Sequence, residues 1–282
     1  MRRPDFIIVG AMKAGTTTLA HYLRQHSQIY IPERELHFFD ARGRFSDRWK
    51  RGVKWYERQF EDADPSDLCG EKTPTYSYLP SVPKRIHQVA PDVRILWILR
   101  NPADRSYSNY WHEVRKGTER LSFEEAVKHE DERIKENIWK GYVRRSQYIE
   151  QVDRFLSYFD QDSMHFCLLK KMKESPVSVM EKITNFLGVS NGKIDLQAVE
   201  KKKNITVLPR STAVRCGVHD LEEIMPSIGS MVAKIESRLN RRSQPGYPEM
   251  SSAMRERLEH HFAPYNKQLE EKINIDLSTW KG

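Results

Sequence analysis

Long apolar runs are missing from this 282-residue chain: no stretch of 18 consecutive apolar residues occurs, so no transmembrane helix is expected. Cysteine is scarce. Cys69, Cys167 and Cys216 are far apart, odd in number and without a CxxC pair, which reads as reduced thiols in a cytosolic protein. The chain opens Met-Arg-Arg-Pro-Asp and runs straight into an apolar segment, leaving no room for a signal peptide, so a cytoplasmic location is expected. Internal repeats, low-complexity linkers and nucleic-acid-binding motifs are also missing, so no nucleic-acid partner is expected. Oligomeric state leaves no mark in the sequence.

Positive charge is in excess. Lys and Arg number 47 against 39 Asp and Glu, a net charge of +8, which points to an anionic ligand or partner. Signs are nevertheless interspersed, and the basic patches are short: Arg48 to Lys54, Lys170 to Lys173, Lys201 to Lys203, and Arg241-Arg242. Each reads as solvated surface. Asn204-Ile205-Thr206 fits a glycosylation sequon, a pattern that also arises by chance.

Apolar segments alternate with amphipathic ones. Residues 5–10, 93–99 and 164–170 read as strands, and 67–74 as a short strand running into a loop broken by Pro74, with "VRILWIL" the most apolar run and a candidate central parallel strand. Helices are expected over 15–26, "VPKRIHQVA", "NPADRSYSNYWHEVRKG", "SFEEAVKHEDERIKENI" with a Ser122–Glu125 capping box, "QYIEQVDRFLSYF", and "PVSVMEKITNFLGV" closing at Gly188. Two late helices are expected over "HDLEEIMPSIGSMVAKIESRLNRR" and "SSAMRERLEHHFAPYNKQLEEKI". The alternation predicts an α/β fold, one domain over 1–282 with a central, mainly parallel sheet flanked by helices, and a ligand site at the carboxyl ends of the strands.

The stretch "FIIVGAMKAGTTTLAHYL" resembles a nucleotide-binding loop with its lysine displaced. The pattern G-x-x-x-x-G-K-[ST] matches at Gly10 and Gly15, but Thr16 stands where the lysine belongs, and Lys13 lies inside the loop. A glycine-flanked turn from strand to helix still exposes backbone N–H groups to a phosphate. The strongest strand ends in Arg100, where a metal-nucleotide enzyme would place an acid. Both departures argue against a triphosphate with Mg²⁺ and for a metal-free nucleotide carrying a second phosphate.

"KAGTTTL", "EKTPTY" near residue 71 and "LRNPADRSYSNY" near residue 100 together resemble the sulfotransferases that use 3′-phosphoadenosine 5′-phosphosulfate (PAPS), and the fold implied is P-loop-like. "ELHFFD" (35–40) is similar to the branch containing the heparan sulfate N- and 3-O-sulfotransferases and related bacterial enzymes. The similarity is clear over 5–115, with "MEKITNFLGV" as a later echo. The resemblance implies in-line transfer of a sulfuryl group to an acceptor hydroxyl or amine, with PAPS as donor, 3′,5′-diphosphoadenosine as product and no metal.

By that resemblance Lys13 serves the bridging oxygen and the 5′-phosphate. Ala14, Gly15, Thr16, Thr17 and Thr18 cradle the phosphosulfate, and Arg100 and Ser108 bind the 3′-phosphate. Lys72 becomes an active-site lysine. Arg210 is assigned to a late basic loop closing over the 3′-phosphate, although the Lys-Gly pattern of that loop is not clearly present. Glu35 is the candidate base and His37 its rival; an extended segment puts both on one face. Glu33 reads as a solvated acid, and Phe38 and Phe39 as core. Tyr148, Trp111 and His112 are further candidates for the cleft.

The acceptor is expected to be a small molecule or carbohydrate, with loops 41–66, 112–145 and 203–220 around it. A glycosaminoglycan acceptor, a metal-dependent nucleotide kinase and a non-catalytic polyanion-binding protein are the alternatives.

Overall fold

The computed structural model describes residues 2–40, 47–189, 207–241 and 246–280. Lys201 to Lys203, the sequon at 204–206, Arg242, and parts of the loops 41–66 and 203–220 lie outside the described residues. The chain divides into two compact units. One comprises Met1–Arg100, Tyr148–Lys202 and Tyr265–Leu277; the other comprises Asn101–Gln147, Lys203–Pro264 and Ser278–Gly282.

The first unit holds the sheet. Its strands are β1 (Phe6–Gly10), β2 (Ile29–Tyr30), β3 (Leu68–Lys72), β4 (Arg94–Leu99) and β5 (Met164–Leu168), in the order β2-β3-β1-β4-β5. All four strand pairings are parallel. β1 is buried along its whole length, which is why it reads as a continuous apolar run rather than an alternating one. Phe6 and Ile8 pack with Leu19 and Leu23 of the following helix, Leu96 and Ile98 of β4, and Met180 and Ile183 of the helix Pro176–Leu187. β1 sits between β3 and β4, so the chain leaves it to one side and later returns on the other. That reversal opens a crevice at its carboxyl end, where parallel sheets bind ligands. The fold is α/β and P-loop-like, as the alternation predicts.

The second unit is helical. Pro102–Lys116 is started by Asn101, whose side chain accepts from the backbone N of Ala103 (2.9 Å) and Asp104 (3.2 Å). The Ser122–Glu125 capping box forms as expected. Tyr110, Phe123, Tyr142, Met254 and Phe262 make a core of their own. No helix among the described residues is long and apolar enough to cross a membrane.

Several boundaries differ from expectation. The charged helix over 122–138 breaks at His129 into Phe123–Lys128 and Glu130–Glu136. Glu130 turns inward there and accepts from the backbone N of Val143 (2.8 Å) and Arg144 (2.6 Å). The first late helix is two, Thr212–Ile224 and Pro226–Leu239, because Pro226 lacks an N–H and drives Met225 out of the helical region (φ −132°, ψ 74°). β5 stops at Leu168, and Leu169 and Lys170 open the helix Leu169–Glu174. β2 was not expected, since two residues carry no periodicity.

Candidate active site

Gly10 ends β1, and the chain turns through residues 11–15 into the helix Thr16–Arg24. Both glycines are required by space. A Cβ at Gly10 would stand 2.5 Å from Ser77 Oγ, and one at Gly15 would stand 2.7 Å from Leu169 Cδ1. Gly15 also adopts φ +100°, a region that L side chains avoid. The first-turn N–H groups of the helix have no partner within it and point along its axis into the loop. Ala14 is buried, its N donating to Ala11 O at 3.0 Å. Thr16 is buried, Thr18 half-buried and Thr17 exposed.

Arg100 follows β4 directly, half-buried, and its guanidinium donates to the backbone O of Lys13 at 3.4 Å. The Tyr148 hydroxyl in turn donates to Arg100 O at 2.9 Å. Lys13 itself takes φ +70°. Two parallel strands thus deliver a lysine and an arginine to one loop.

β3 supplies the third part. Its pairing with β1 sets Lys72 opposite Ile8. Lys72 Nζ lies 2.5 Å from Glu35 Oε1, and the other oxygen of Glu35 lies 3.2 Å from His37 Nε2. His37 Nδ1 meets Asp40 Oδ2 at 2.7 Å, and Thr75 Oγ1 donates to that same oxygen at 2.6 Å. Residues 35–40 are irregular rather than extended, with His37 at φ +48°. Side-chain alternation therefore does not bring Glu35 and His37 together; a turn at His37 does.

The cluster's charges follow from its contacts. Burial pushes the Glu35 carboxyl up, but the His37 hydrogen bond and the Lys72 ammonium outweigh it, and the group sits below its ordinary value. Burial disfavours the His37 imidazolium, yet the Asp40 and Glu35 carboxylates overcome this and push its pKa up to about 9. At neutral pH the arrangement is an ionised Glu35 held between two cations, and His37 has no free lone pair to act as a base.

A layer behind the cluster fixes it. The Tyr76 hydroxyl accepts from the backbone N of Phe38 (2.8 Å) and of Phe39 (3.2 Å), so its own proton is directed at Glu71. Glu71 is fully buried and also accepts from the Tyr56 hydroxyl at 2.9 Å. Burial pushes Glu71 up to about 8 in spite of these hydroxyl bonds. Phe38 and Phe39 are fully buried core, with Phe38 stacked on Tyr56 at 4.5 Å.

Of the residues singled out in the sequence, Lys13, Ala14, Gly15, Thr16, Thr17, Thr18 and Arg100 gather at the ends of β1 and β4. Glu35, His37 and Lys72 gather at the end of β3. Ser108 and Arg210 belong to the second unit. Ser108 is buried on the helix Pro102–Lys116; Arg210 is exposed, its backbone N donating to Asn240 O at 2.8 Å. Sequence reasoning missed Asp40, Thr75, Tyr76, Glu71 and Tyr56. Asp40 carried a usable signal, an acid three residues after a candidate histidine. Glu71 carried none, since an acid in a short strand reads as solvent-facing.

The sulfotransferase domain family model matches residues 3–267. Human heparan sulfate glucosamine 3-O-sulfotransferase 6 is 29% identical over 188 residues, which are 67% of this chain and 53% of that protein. The Drosophila melanogaster bifunctional heparan sulfate N-deacetylase/N-sulfotransferase is 28% identical over 210 residues, 66% of this chain and 20% of that protein. The chain therefore spans about half the length, or less, of these curated relatives. The crystal structure of a sulfotransferase from Alicyclobacillus acidocaldarius superposes over 100% of both chains with a TM-score of 0.76 and 30% identity. Matched by the domain model over nearly its whole length, and by that enzyme from end to end, the chain belongs to the sulfotransferase domain family.

Proposed function

We propose that this protein transfers a sulfuryl group from PAPS to a hydroxyl or amine of a small-molecule or carbohydrate acceptor. The observation that carries the reading is the ionised Glu35 held by Lys72 and His37 beside a phosphate-type loop that contains Lys13 in place of the usual lysine. The residues present fit the donor. The turn at Gly15 admits no Cβ, its helix start offers N–H donors, and Lys13 and Arg100 supply two cations with no acid among the singled-out residues of that loop. PAPS, when bound, supplies the sulfuryl group. Ser108 and Arg210 enter the proposal on the resemblance alone.

Each residue then has a task. Lys13 neutralises charge that builds on the leaving oxygen. Glu35 takes the acceptor proton; with its pKa lowered it does so late, as the acceptor atom becomes more acidic. His37, charged and fixed by Asp40, orients Glu35. Lys72 holds the carboxylate's second oxygen and, on the resemblance, contacts the substrate or the transferred group's oxygens.

For the acceptor, a cleft of about 610 Å³ is lined by Tyr30, Pro32, Glu33, Arg34, Trp55 and Arg58 among others. Pro32, Glu33 and Arg34 of its lining immediately precede Glu35 in the chain. Mixed charge with two aromatic rings suits a hydroxyl-rich polar molecule. A second reading, an acidic glycan, is favoured by Arg48, which donates to Leu36 O at 2.6 Å within a basic stretch, and by the heparan sulfate activities of the relatives.

The test is calorimetric titration with 3′,5′-diphosphoadenosine and with ATP–Mg²⁺, then an acceptor panel with labelled PAPS that includes small sugars and heparan-type polysaccharide. Metal-free binding of the diphosphate, weakened by Arg100→Ala, is expected. A preference for ATP–Mg²⁺ would reject the proposal in favour of a kinase.

A further inference from the structure

The second unit carries an apolar face that its own core does not use. Thr212–Ile224 and Pro226–Leu239 form an antiparallel hairpin, packed so closely that a Cβ at Gly229 would stand 2.4 Å from the Glu222 Cα. The seam inside the hairpin is polar. Arg215 bridges Glu222 (2.5 Å) and Glu236 (3.1 Å), and Asn240 donates to Glu236 at 2.6 Å. The apolar side chains point the other way.

On the first hairpin helix Val214, Gly217, Leu221 and Ile224 follow a 3-4-3 spacing; Val214 is 51% exposed and Ile224 78%. On the second, Ile228, Met231, Ile235 and Leu239 follow 3-4-4 and are 43%, 59%, 55% and 73% exposed. At 100° per residue both stripes lie about 90° from the hairpin seam, and on the same side of it. A Cβ at Gly217 would meet nothing within 4 Å. The result is a flat two-helix face about 20 Å long and about 20 Å wide. That is about 400 Å², within the range of the largest patches monomers expose and about half of the ~800 Å² per partner of a standard interface, which suits a weak dimer.

We propose that this face is a dimer interface, and that a second copy of the chain covers it to complete a four-helix bundle. Three observations favour a second copy. Stripes at 3-4 spacing are the pattern of helix–helix seams. A two-helix face is half of a bundle, so a dyad completes it without any further element. The charges also select an arrangement. The outer edge of the second helix carries Lys234 and Arg238, while that of the first carries Ala213 and Asp220, the latter bridged by Arg120 at 2.5 Å. Laying the second helix on its own copy would set Lys234 and Arg238 against themselves. Laying it on the partner's first helix avoids that repulsion and brings Asp220 to the same edge.

The test is sedimentation equilibrium of the full chain from about 1 to about 100 µM. A species of twice 33.3 kDa is expected. The double variant Ile228→Glu/Ile235→Glu should raise the dimer Kd at least about 100-fold with an unchanged circular dichroism spectrum, because both side chains face solvent in the monomer. Gly217→Arg fits the open space of the monomer and obstructs the approach of a partner, so it should weaken the dimer independently if the double variant misfolds. A monomer at every concentration, or a dimer indifferent to the variants that fold, would overturn the proposal. So would a monomer that floats with phosphatidylserine vesicles, which would assign the face to lipid.

Discussion

Tyr76 fixes the segment 35–40 without belonging to it. Its hydroxyl is the acceptor for two buried backbone N–H groups, those of Phe38 and Phe39. Tyr76→Phe leaves both without an acceptor, and each unsatisfied buried donor costs about 1–3 kcal/mol. Urea unfolding should show a combined loss of about 2–6 kcal/mol for the two donors, accompanied by a fall in kcat larger than any change in KM, because Glu35 loses its setting. Glu71 lies in the same buried layer and links it to pH. His37 has a folded pKa of about 9 against an ordinary 6.5, so the stability it contributes is complete below about 6.5 and is lost as pH rises to 9. Glu71, an acid raised from 4.5 to about 8, binds its proton more tightly in the folded state, so stability also falls as pH rises between those values. Both effects have the same sign from pH 6.5 to 8. Unfolding free energies measured at pH 6.5 and 9 should therefore decline, with Glu71→Gln flattening the lower part of the slope and His37→Asn the upper. An unchanged slope in both variants would contradict the protonation states described. Glu35→Gln keeps the shape and removes the proposed base; on the proposed function a fall in kcat of about 10²–10⁴ is expected in a labelled transfer assay.

The loop between β1 and its helix joins two demands at Gly15, a positive φ and a missing Cβ. Gly15→Ala should destabilise the protein by about 1–2 kcal/mol from the left-handed backbone alone, and by more from the Leu169 contact. Adding Leu169→Ala removes the second penalty and not the first, so a thermodynamic cycle of the two substitutions separates them. This loop was legible in the sequence because its glycines, its lysine and the apolar run before it are local signals. So were β3 and β4 and the residues that follow each strand. The Glu35–His37–Asp40 geometry was not legible, because it depends on a left-handed turn at His37 that no neighbouring glycine announces. Glu71 was hidden for a different reason. A charged residue beside Lys72 in a five-residue strand looks solvated until Tyr56 and Tyr76 are seen to enclose it. The outward face of the hairpin was not legible either: Ile228, Met231 and Ile235 have a helical spacing, and periodicity alone cannot say whether the stripe faces inward or outward.

For the molecule as a whole, the cationic loop and the net charge of +8 have a common thermodynamic consequence. A ligand that binds only the folded state stabilises it by an amount set by its concentration relative to its Kd, about 2.7 kcal/mol at 100 Kd. On the proposed function, 3′,5′-diphosphoadenosine is such a ligand, and no metal is needed for it to act. Thermal melts with and without it should show an upward shift in Tm that grows with concentration and survives chelator. The shift should shrink with added salt, because an exposed anion approaching a basic protein is screened over about 10 Å at 0.1 M. Arg100→Ala should remove most of the shift while leaving the ligand-free melt close to that of the parent, since among the described residues the guanidinium makes one long bond, to Lys13 O. A ligand-free melt that collapses in Arg100→Ala would instead make Arg100 a structural residue, and the anion site would then rest on Lys13 and the helix start alone.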